Sequence, residues 1–544
     1  MKYLRYIFFY IIFFALNFAQ FGWQDDGAPI RQGLHIEWQK AGDSNSDGTM
    51  IYAWSDCRNG VRDVFAQKVD KNGNNLWGNN GIIVVSASGR QEDPQLVNDG
   101  AGGAYIIWMD YKDEPDPIGD IYAQHVDSNG NLEWGEEGRA LTNQPGRQGK
   151  PNICSDGAIG AYVIWEDYST GTGSSYGDVY ATHLSSQVII AEGLGVPIIT
   201  YQSQHLSISL EGGSGDAVLV WSDDRNENHD TEDFRDLYAQ RISVGNSTIN
   251  TQWGDDGKLI CDAPKDQTNP KVVFYAADDD DNNENEDNTI MIWKDGRNNG
   301  TSDLFYQILD ENGGEQLTAN GESACLSEDL SGEEWGISKA RVKAENSVAY
   351  IAWQDQRNGW WKEDIYVQKI NLDGSTAWGN GLPIATSDGK KAEPRLTTDG
   401  SGGVYIVWED ERNDDTEKDI FAQHINSDGS ITHITNGKLI CDAEYQQFGP
   451  LVRNDGDGGA IIIWADQRSG GSFGMYVQHL TSSGNHLASN GKESFFGLAT
   501  DDASESYEHG IVYMGNDQSL VYWQDNRWGE PKIYGSKISS SFDA

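Results

Sequence analysis

Cysteine, positive charge and long apolar runs are all scarce in this 544-residue chain, and each scarcity closes off a class of protein. The five cysteines, Cys57, Cys154, Cys261, Cys325 and Cys441, are odd in number and include no CxxC pair, which argues against a disulfide framework and a zinc site. Cys261, Cys325 and Cys441 each stand four residues after a glycine. Matching points in successive repeat units are too far apart for a disulfide, so these three read as small core residues. Only 39 Lys and Arg face 85 Asp and Glu, a formal charge of −46 that repels nucleic acid and anionic lipid and favours solubility, cations or a saline habitat. No GxSxG, HExxH, phosphate loop or dinucleotide fingerprint occurs, and helical periodicity is almost absent.

The single pronounced apolar run is at the start. Lys2 and Arg5 precede Tyr6 to Leu16, and Asn17-Phe18-Ala19 offers a cleavage site before Gln20, so residues 1–19 read as a signal peptide, with an uncleaved anchor as the alternative. Loss of that segment brings the formal charge to −48. No later segment is long and apolar enough to cross a bilayer. The expected location is extracytoplasmic: secreted, cell-surface or periplasmic.

What fills the rest is repetition. Nine WxD triplets occur, at Trp54, Trp108, Trp165, Trp221, Trp293, Trp353, Trp408, Trp464 and Trp523. In seven an Arg follows two residues later, as in Trp408-Glu409-Asp410-Glu411-Arg412; after Trp108 and Trp165 the chain has Tyr111-Lys112 and, at the same point, Ser169. Each triplet ends an apolar run such as Val404-Tyr405-Ile406-Val407, preceded by a turn such as Asp399-Gly400-Ser401-Gly402-Gly403, which predicts a strand after a tight hairpin. Asp419-Ile420-Phe421-Ala422-Gln423-His424-Ile425 exemplifies the next strand, and a Trp-Gly segment ending in an apolar run, as in Trp253-Gly254 through Leu259-Ile260, the last. With the strand before the first hairpin, each unit of about 55 residues supplies four short antiparallel strands, the signature of a propeller blade.

The predicted fold is therefore all-β, a single closed β-propeller over residues 20–544 with nine four-stranded blades. The repeats run approximately over 34–88, 93–143, 150–200, 204–264, 269–328, 336–387, 393–443, 449–499 and 507–544 plus 21–33. The last repeat lacks a fourth strand, whereas Phe21 to Ile30 resembles a fourth strand without a repeat before it, so the amino-terminal strand is expected to complete the ninth blade. An open superhelical array is the alternative.

The order Asp399-Gly400, Val407-Trp408-Glu409-Asp410-Glu411-Arg412, Asp419-Ile420-Phe421, Asp428-Gly429 resembles the TolB-type blade repeat of extracytoplasmic propellers. The resemblance covers nearly all of the mature chain and implies extracytoplasmic interaction rather than one chemistry. The blades are longer than the TolB pattern and carry the additional Trp-Gly strand, so its partners are not carried over.

Residues that recur in every blade read as structural. The nine WxD aspartates, and the second Asp that opens the third strand in seven blades (Asp63, Asp120, Asp178, Asp236, Asp303, Asp364 and Asp419), are expected to accept turn amides or pair with the nearby Arg. Lys68, His125, His183, Arg241, Lys369, His424, His479 and Lys537 share one third-strand position and read first as partners for an acid, with a ring that binds an anionic ligand as the sharper alternative. Residues outside the repeat are the candidate sites. Trp360, Trp361 and Trp528 sit in loops after WxDxR and are candidates for stacking on sugars or anchoring a protein, against the plainer reading of packing on the next blade. The insertion containing Asp278, Asp279, Asp280, Asp281, Glu284 and Asp287 offers oxygen donors for Ca2+, against the plainer reading of a solvated loop. Asp43 to Gly48 begins like an EF-hand loop, but Trp54 occupies the place of its bidentate Glu.

The function expected from these features is a non-enzymatic binding or scaffold propeller, monomeric, for a glycan or protein partner and not for nucleic acid. Two alternatives stand: a polysaccharide-active propeller enzyme, glycosidase or lyase, and a structural surface or adhesion component. A scaffold should line its channel with repeat-equivalent residues. An enzyme should show clustered, non-repeating carboxylates and an Arg at the ring centre.

Overall fold

The computed structural model describes residues 28–29, 37–45, 49–70, 74–111, 119–168, 177–201, 205–225, 234–245, 247–276, 287–298, 302–326, 337–345, 348–359, 362–371, 373–414, 417–468, 474–485, 492–495, 509–515, 518–525 and 532–539. Among them are nine antiparallel sheets and no α-helix, hence no helix long and apolar enough to cross a membrane. Eight sheets have four strands. The fourth has five, because Asp236–Gly245 runs on into a hairpin with Thr248–Thr251 where six other blades make only an isolated bridge.

The apolar runs that end in WxD become the second strand of each blade. Ala104–Asp110, Ala161–Asp167 and Ala460–Asp466 are buried at every residue, as expected for a strand covered on both faces by neighbouring blades. The buried side chains form nine hydrophobic clusters, each shared by two consecutive blades. Tyr52 and Trp54 of the first blade pack with Leu520 of the ninth, so the interfaces close into a circle. Ala28 and Pro29 pair antiparallel with Gly535 and Tyr534, which gives the ninth sheet its outer strand as the sequence implied. The molecule is a closed nine-bladed β-propeller, and the open array is excluded.

The WxDxR motif is a latch inside the first and the fourth to eighth blades. In the seventh, the Asp410 carboxylate accepts the Trp408 indole N–H (2.9 Å), the Arg412 backbone N–H (3.0 Å), Arg412 Nε (2.9 Å) and Arg412 Nη2. The guanidinium lies 3.8 Å from the Phe421 ring centre and donates to the Asn436 carbonyl (2.7 Å), tying the second strand to the third and to the turn before the fourth. Gly437 in that turn has φ +83°, and a Cβ there would come within 2.3 Å of the Trp408 ring, so neither the conformation nor the space admits another residue. Cysteine fits the adjoining gap. Cys261, Cys325 and Cys441 are free, buried, and accept from Arg297, Arg357 and Arg468 of the following blade.

The second aspartates face the WxD aspartates directly across the strand pair, as Asp419 faces Asp410, and are held by a loop amide, here Asn413 Nδ2 at 2.6 Å. The shared third-strand position also finds its acids. His125, His183, His424 and His479 contact Asp99, Asp156, Asp399 and Asp455 at 2.8, 3.0, 2.8 and 2.6 Å, and Arg241 contacts Asp216 at 2.7 Å. Burial would raise the four Asp carboxyls, but the imidazole and two turn amides outweigh it and hold them below the usual range.

Candidate active site

The first strands, Glu37–Ser44, Gln91–Asn98, Gln148–Ser155, His205–Gly213, Gln267–Ala276, Ile337–Glu345, Lys391–Thr398, Gln447–Asn454 and His509–Gly515, contact one another in sequence around the ring, the last touching the first. They form the wall of the axial channel. In the second to eighth blades each carries a β-bulge whose inserted residue has positive φ: Asp93, Lys150, Ser207, Asn269, Lys339, Glu393 and Gly449. Six of these seven are not glycine, a strained conformation for an L residue, and bulges re-aim the side chains around them.

Pairing register sets what the bulge re-aims. The residue after it stands opposite the one before the WxD tryptophan, so its side chain shares a sheet face with the middle residue of WxD. Along the second to eighth blades the first position reads Gln95, Asn152, Ser209, Lys271, Arg341, Arg395 and Leu451. The middle residue reads Met109, Glu166, Ser222, Lys294, Gln354, Glu409 and Ala465. A repeating frame thus presents a non-repeating set of groups.

In the sixth and seventh blades the middle residue closes the gap to the next blade: Gln354 accepts the Glu393 amide (3.2 Å) and Glu409 the Gly449 amide (2.8 Å). Glu166 does not. Its carboxylate accepts Lys150 Nζ (2.8 Å) and the Tyr168 hydroxyl, and a cavity of about 410 Å³ remains between the third and fourth blades, within the usual range for a ligand pocket. Lys150, Asn152, Trp165 and Glu166 line one side, Ser207 and Ile208 the other, and Glu166 is the one acid among the described residues that line it. Burial, then the Glu166 carboxylate, push the Tyr168 phenol up to about 12. Arg147 lies 5.3 Å from its ring centre.

The cavity adjoins the place where the repeat breaks. The second and third blades lack the latch arginine and instead carry Tyr111 and Tyr168, each with an arginine over its ring, Arg90 at 4.3 Å and Arg147 at 5.3 Å. In the third blade the Trp165 indole N–H is buried without an acceptor, whereas seven equivalents donate to their Asp. The sequence showed the departure at Tyr111, Lys112 and Ser169, but the middle residues of WxD had no visible role there.

The sequence candidates fall elsewhere. Trp360, Trp361, Trp528, Asp278, Asp279, Asp280, Asp281 and Glu284 lie outside the described residues, and of Asp287 only the backbone is described, opening the second strand of the fifth blade. Residues 1–19, read as a signal peptide, also lie outside them. Among the described residues no group of three or more His, Cys, Asp or Glu is placed to hold a metal ion.

No protein-family model matches the chain, and no curated protein does. Solved structures do. An ulvan lyase of a polysaccharide lyase family is 9% identical, covering 96% of this chain and 95% of its own at a TM-score of 0.38. The polysaccharide lyase Uly1 is 12% identical, covering 75% and 92% at 0.38. An α-L-arabinanase of Penicillium chrysogenum is 10% identical, covering 63% and 96% at 0.30. At these identities the likeness is one of fold. The expectation of a non-enzymatic binding or scaffold propeller is corrected on the channel wall, which is not repeat-equivalent, the property a scaffold was to show; the solved structures named above, a polysaccharide lyase family member, a second lyase and an arabinanase, share the fold alone.

Proposed function

We propose that this protein is an extracytoplasmic polysaccharide-cleaving enzyme, with the channel-side cavity between the third and fourth blades as its reaction site and elimination as its chemistry. The observation that carries this reading is Glu166, the one acid among the described residues that line the cavity, which accepts the hydroxyl of Tyr168 two residues on, in a blade that departs from the repeat. Hydrolysis by the usual route needs two carboxyl groups flanking the glycosidic bond, and the cavity supplies one. Elimination needs one base and one acid. Glu166 takes the proton from the sugar carbon next to a carboxyl group, the C–O bond to the leaving sugar breaks as the C=C bond forms, and Tyr168 gives its proton to the leaving oxygen. Its phenol keeps that proton at neutral pH, as an acid must, and the Tyr168–Glu166 hydrogen bond returns a proton to the phenolate afterwards. Lys150 holds the Glu166 carboxylate in place.

The test is depolymerisation of a panel of neutral and uronate-containing polysaccharides, followed by chain length, reducing ends and the ultraviolet absorbance of the unsaturated product. Glu166→Gln and Tyr168→Phe should each lower kcat by about a hundredfold or more while retaining the wild-type circular dichroism. New reducing ends without the absorbance would replace elimination by hydrolysis. An inert panel, or variants as fast as wild type, would end the reading.

A further inference from the structure

Beyond the fourth blade, in the three blades that follow the cavity round the ring, the same positions of the wall carry a concentration of positive charge. Lys271, Arg341 and Arg395 follow the bulge in the fifth, sixth and seventh blades, Lys339 is the bulge residue of the sixth, and Lys294 is the middle residue of WxD in the fifth. One carboxylate serves them: Glu393 meets Lys339 at 2.8 Å, Arg395 at 3.0 Å and Arg341 at 3.9 Å. Among the described residues Lys271 and Lys294 have neither an ion pair nor a hydrogen-bonding side-chain partner. The further acids on these strands are Glu345, at the end of the strand that carries Arg341, where it accepts the Gly400 amide, and Glu211 of the fourth blade, near Lys343.

These groups are held against their own repulsion. Burial and then Arg341 lower the Lys271 ammonium, and burial and then Arg395 lower Arg341, with Glu393 opposing. In a chain with more than twice as many acids as bases, a purely structural pattern would place carboxylates among such cations, as it does at the Arg latches and at the His–Asp turns. Here one carboxylate, Glu393, meets three of the five cations, and Lys271 and Lys294 meet none among the described residues. At physiological salt the screening length is about 8 Å, so a ligand in the channel feels this arc more than the distant acidic exterior.

We infer that the arc of Lys271, Lys294, Lys339, Arg341 and Arg395 is a subsite for the anionic groups, carboxylate or sulfate, of an acidic polysaccharide. The inference rests on the proposed polysaccharide-cleaving function and supplies its substrate class. The arc and the cavity lie at one level of the channel, since Lys150 and Lys339 are equivalent bulge residues and Asn152 and Arg341 equivalent successors. A glycan lying across the channel mouth would place one sugar at Glu166 and present its charged neighbours to the arc. Planar guanidinium groups suit both anions, which they bind with paired N–H donors.

Binding is measured by calorimetry on the full chain carrying Tyr168→Phe, so that the probes are not consumed. The probes are oligogalacturonate, sulfated dextran oligosaccharide, unmodified dextran and sodium sulfate alone. The charged oligosaccharides should bind and dextran should not, and the stronger of the two identifies the anion. Lys271→Gln, Arg341→Gln and Arg395→Gln should each weaken binding about tenfold, and flatten its salt dependence. Lys438→Gln, on the outermost strand of the seventh blade, should leave it unchanged. Lys271→Gln breaks no ion pair and relieves repulsion, so it should not lower the melting temperature, which separates loss of binding from loss of fold. No preference for the charged probes over dextran, wild-type affinity in all three variants, or binding of sodium sulfate alone as tight as that of the oligosaccharides would overturn the subsite. Arc-dependent binding without cleavage of any bound probe by the unsubstituted chain would leave the subsite and remove the enzyme. Cleavage of a neutral glycan unaffected by the arc substitutions would do the reverse.

Discussion

Removing both members of the Asp410–Arg412 latch should cost less than the sum of the two single losses. Asp410 is fully buried, and Arg412→Met strips it of the Nε and Nη2 donors, leaving the Trp408 indole, one backbone amide and the Lys391 ammonium across the strand pair to hold its charge. A buried pair broken in this way costs about 3–5 kcal/mol. Asp410→Asn leaves the guanidinium with the Phe421 face, the Asn436 carbonyl and some solvent, so the loss is smaller, about 2–3 kcal/mol. In the double variant both latch charges are gone, Lys391 keeps Asp364 at 3.7 Å, Met covers the aromatic ring, and the Asn oxygen still accepts the indole. Its cost should be about 2–4 kcal/mol, short of the additive sum by about 3 kcal/mol. Global unfolding of a nine-repeat ring is not a two-state event, so the quantity to measure is local opening. Amide hydrogen exchange of Val404–Asp414 and Glu417–Ile425, with Ala104–Asp110 as the reference strand, resolves it; the coupling amounts to about two decades in opening equilibrium. Additive losses would show that the latch is a set of independent hydrogen bonds and that charge compensation is not what holds it.

Asp419 gives a pH signature. Burial pushes its carboxyl up to about 6, Asn413 opposing and Asp442, Asp410 and Glu417 adding to the rise. Between about 4, the unfolded value, and 6 the folded chain binds the extra proton, so this residue's contribution to stability is present below that window and lost as pH climbs through it. Asp419→Asn should therefore be more stable than wild type at pH 8, by on the order of 1–3 kcal/mol, and equal to it near pH 4; a constant difference across that range would refute the assignment. Deletion of residues 20–33 should expose the outer edge of Lys532–Ser539 and lead to edge-to-edge association, seen as a concentration-dependent rise in mass and faster exchange in that strand; a monomer with unchanged exchange would show that the two-residue pairing is dispensable.

Much of the frame was legible because it recurs. Nine tryptophans with an Asp two residues on, a glycine before each closing strand and an orphan strand at the amino terminus sufficed for blade count, strand order and closure. The fifth strand of the fourth blade was not, because Thr248–Thr251 reads as one more turn until its partner Asp236–Gly245 is seen to run long. The site was hidden for a related reason. Glu166 stands at a position occupied elsewhere by Ser, Met, Lys, Gln and Ala, and only the register shows that such a variable position faces a channel-side gap. The five cations of the arc are spread over 125 residues of sequence, from Lys271 to Arg395, and no local motif joins them. Tryptophans outside the repeat drew the eye to loops, whereas variation within the repeat marked the cavity.

The separation of latch from wall has an evolutionary corollary. The residue behind each bulge hangs on a scaffold that the neighbouring sectors already hold in place, so exchanging it leaves the neighbouring tryptophans, arginines and turns untouched. Selection, or a protein engineer, can therefore rewrite what the pore recognises one sector at a time, much as the pins of a lock are changed without recasting its barrel.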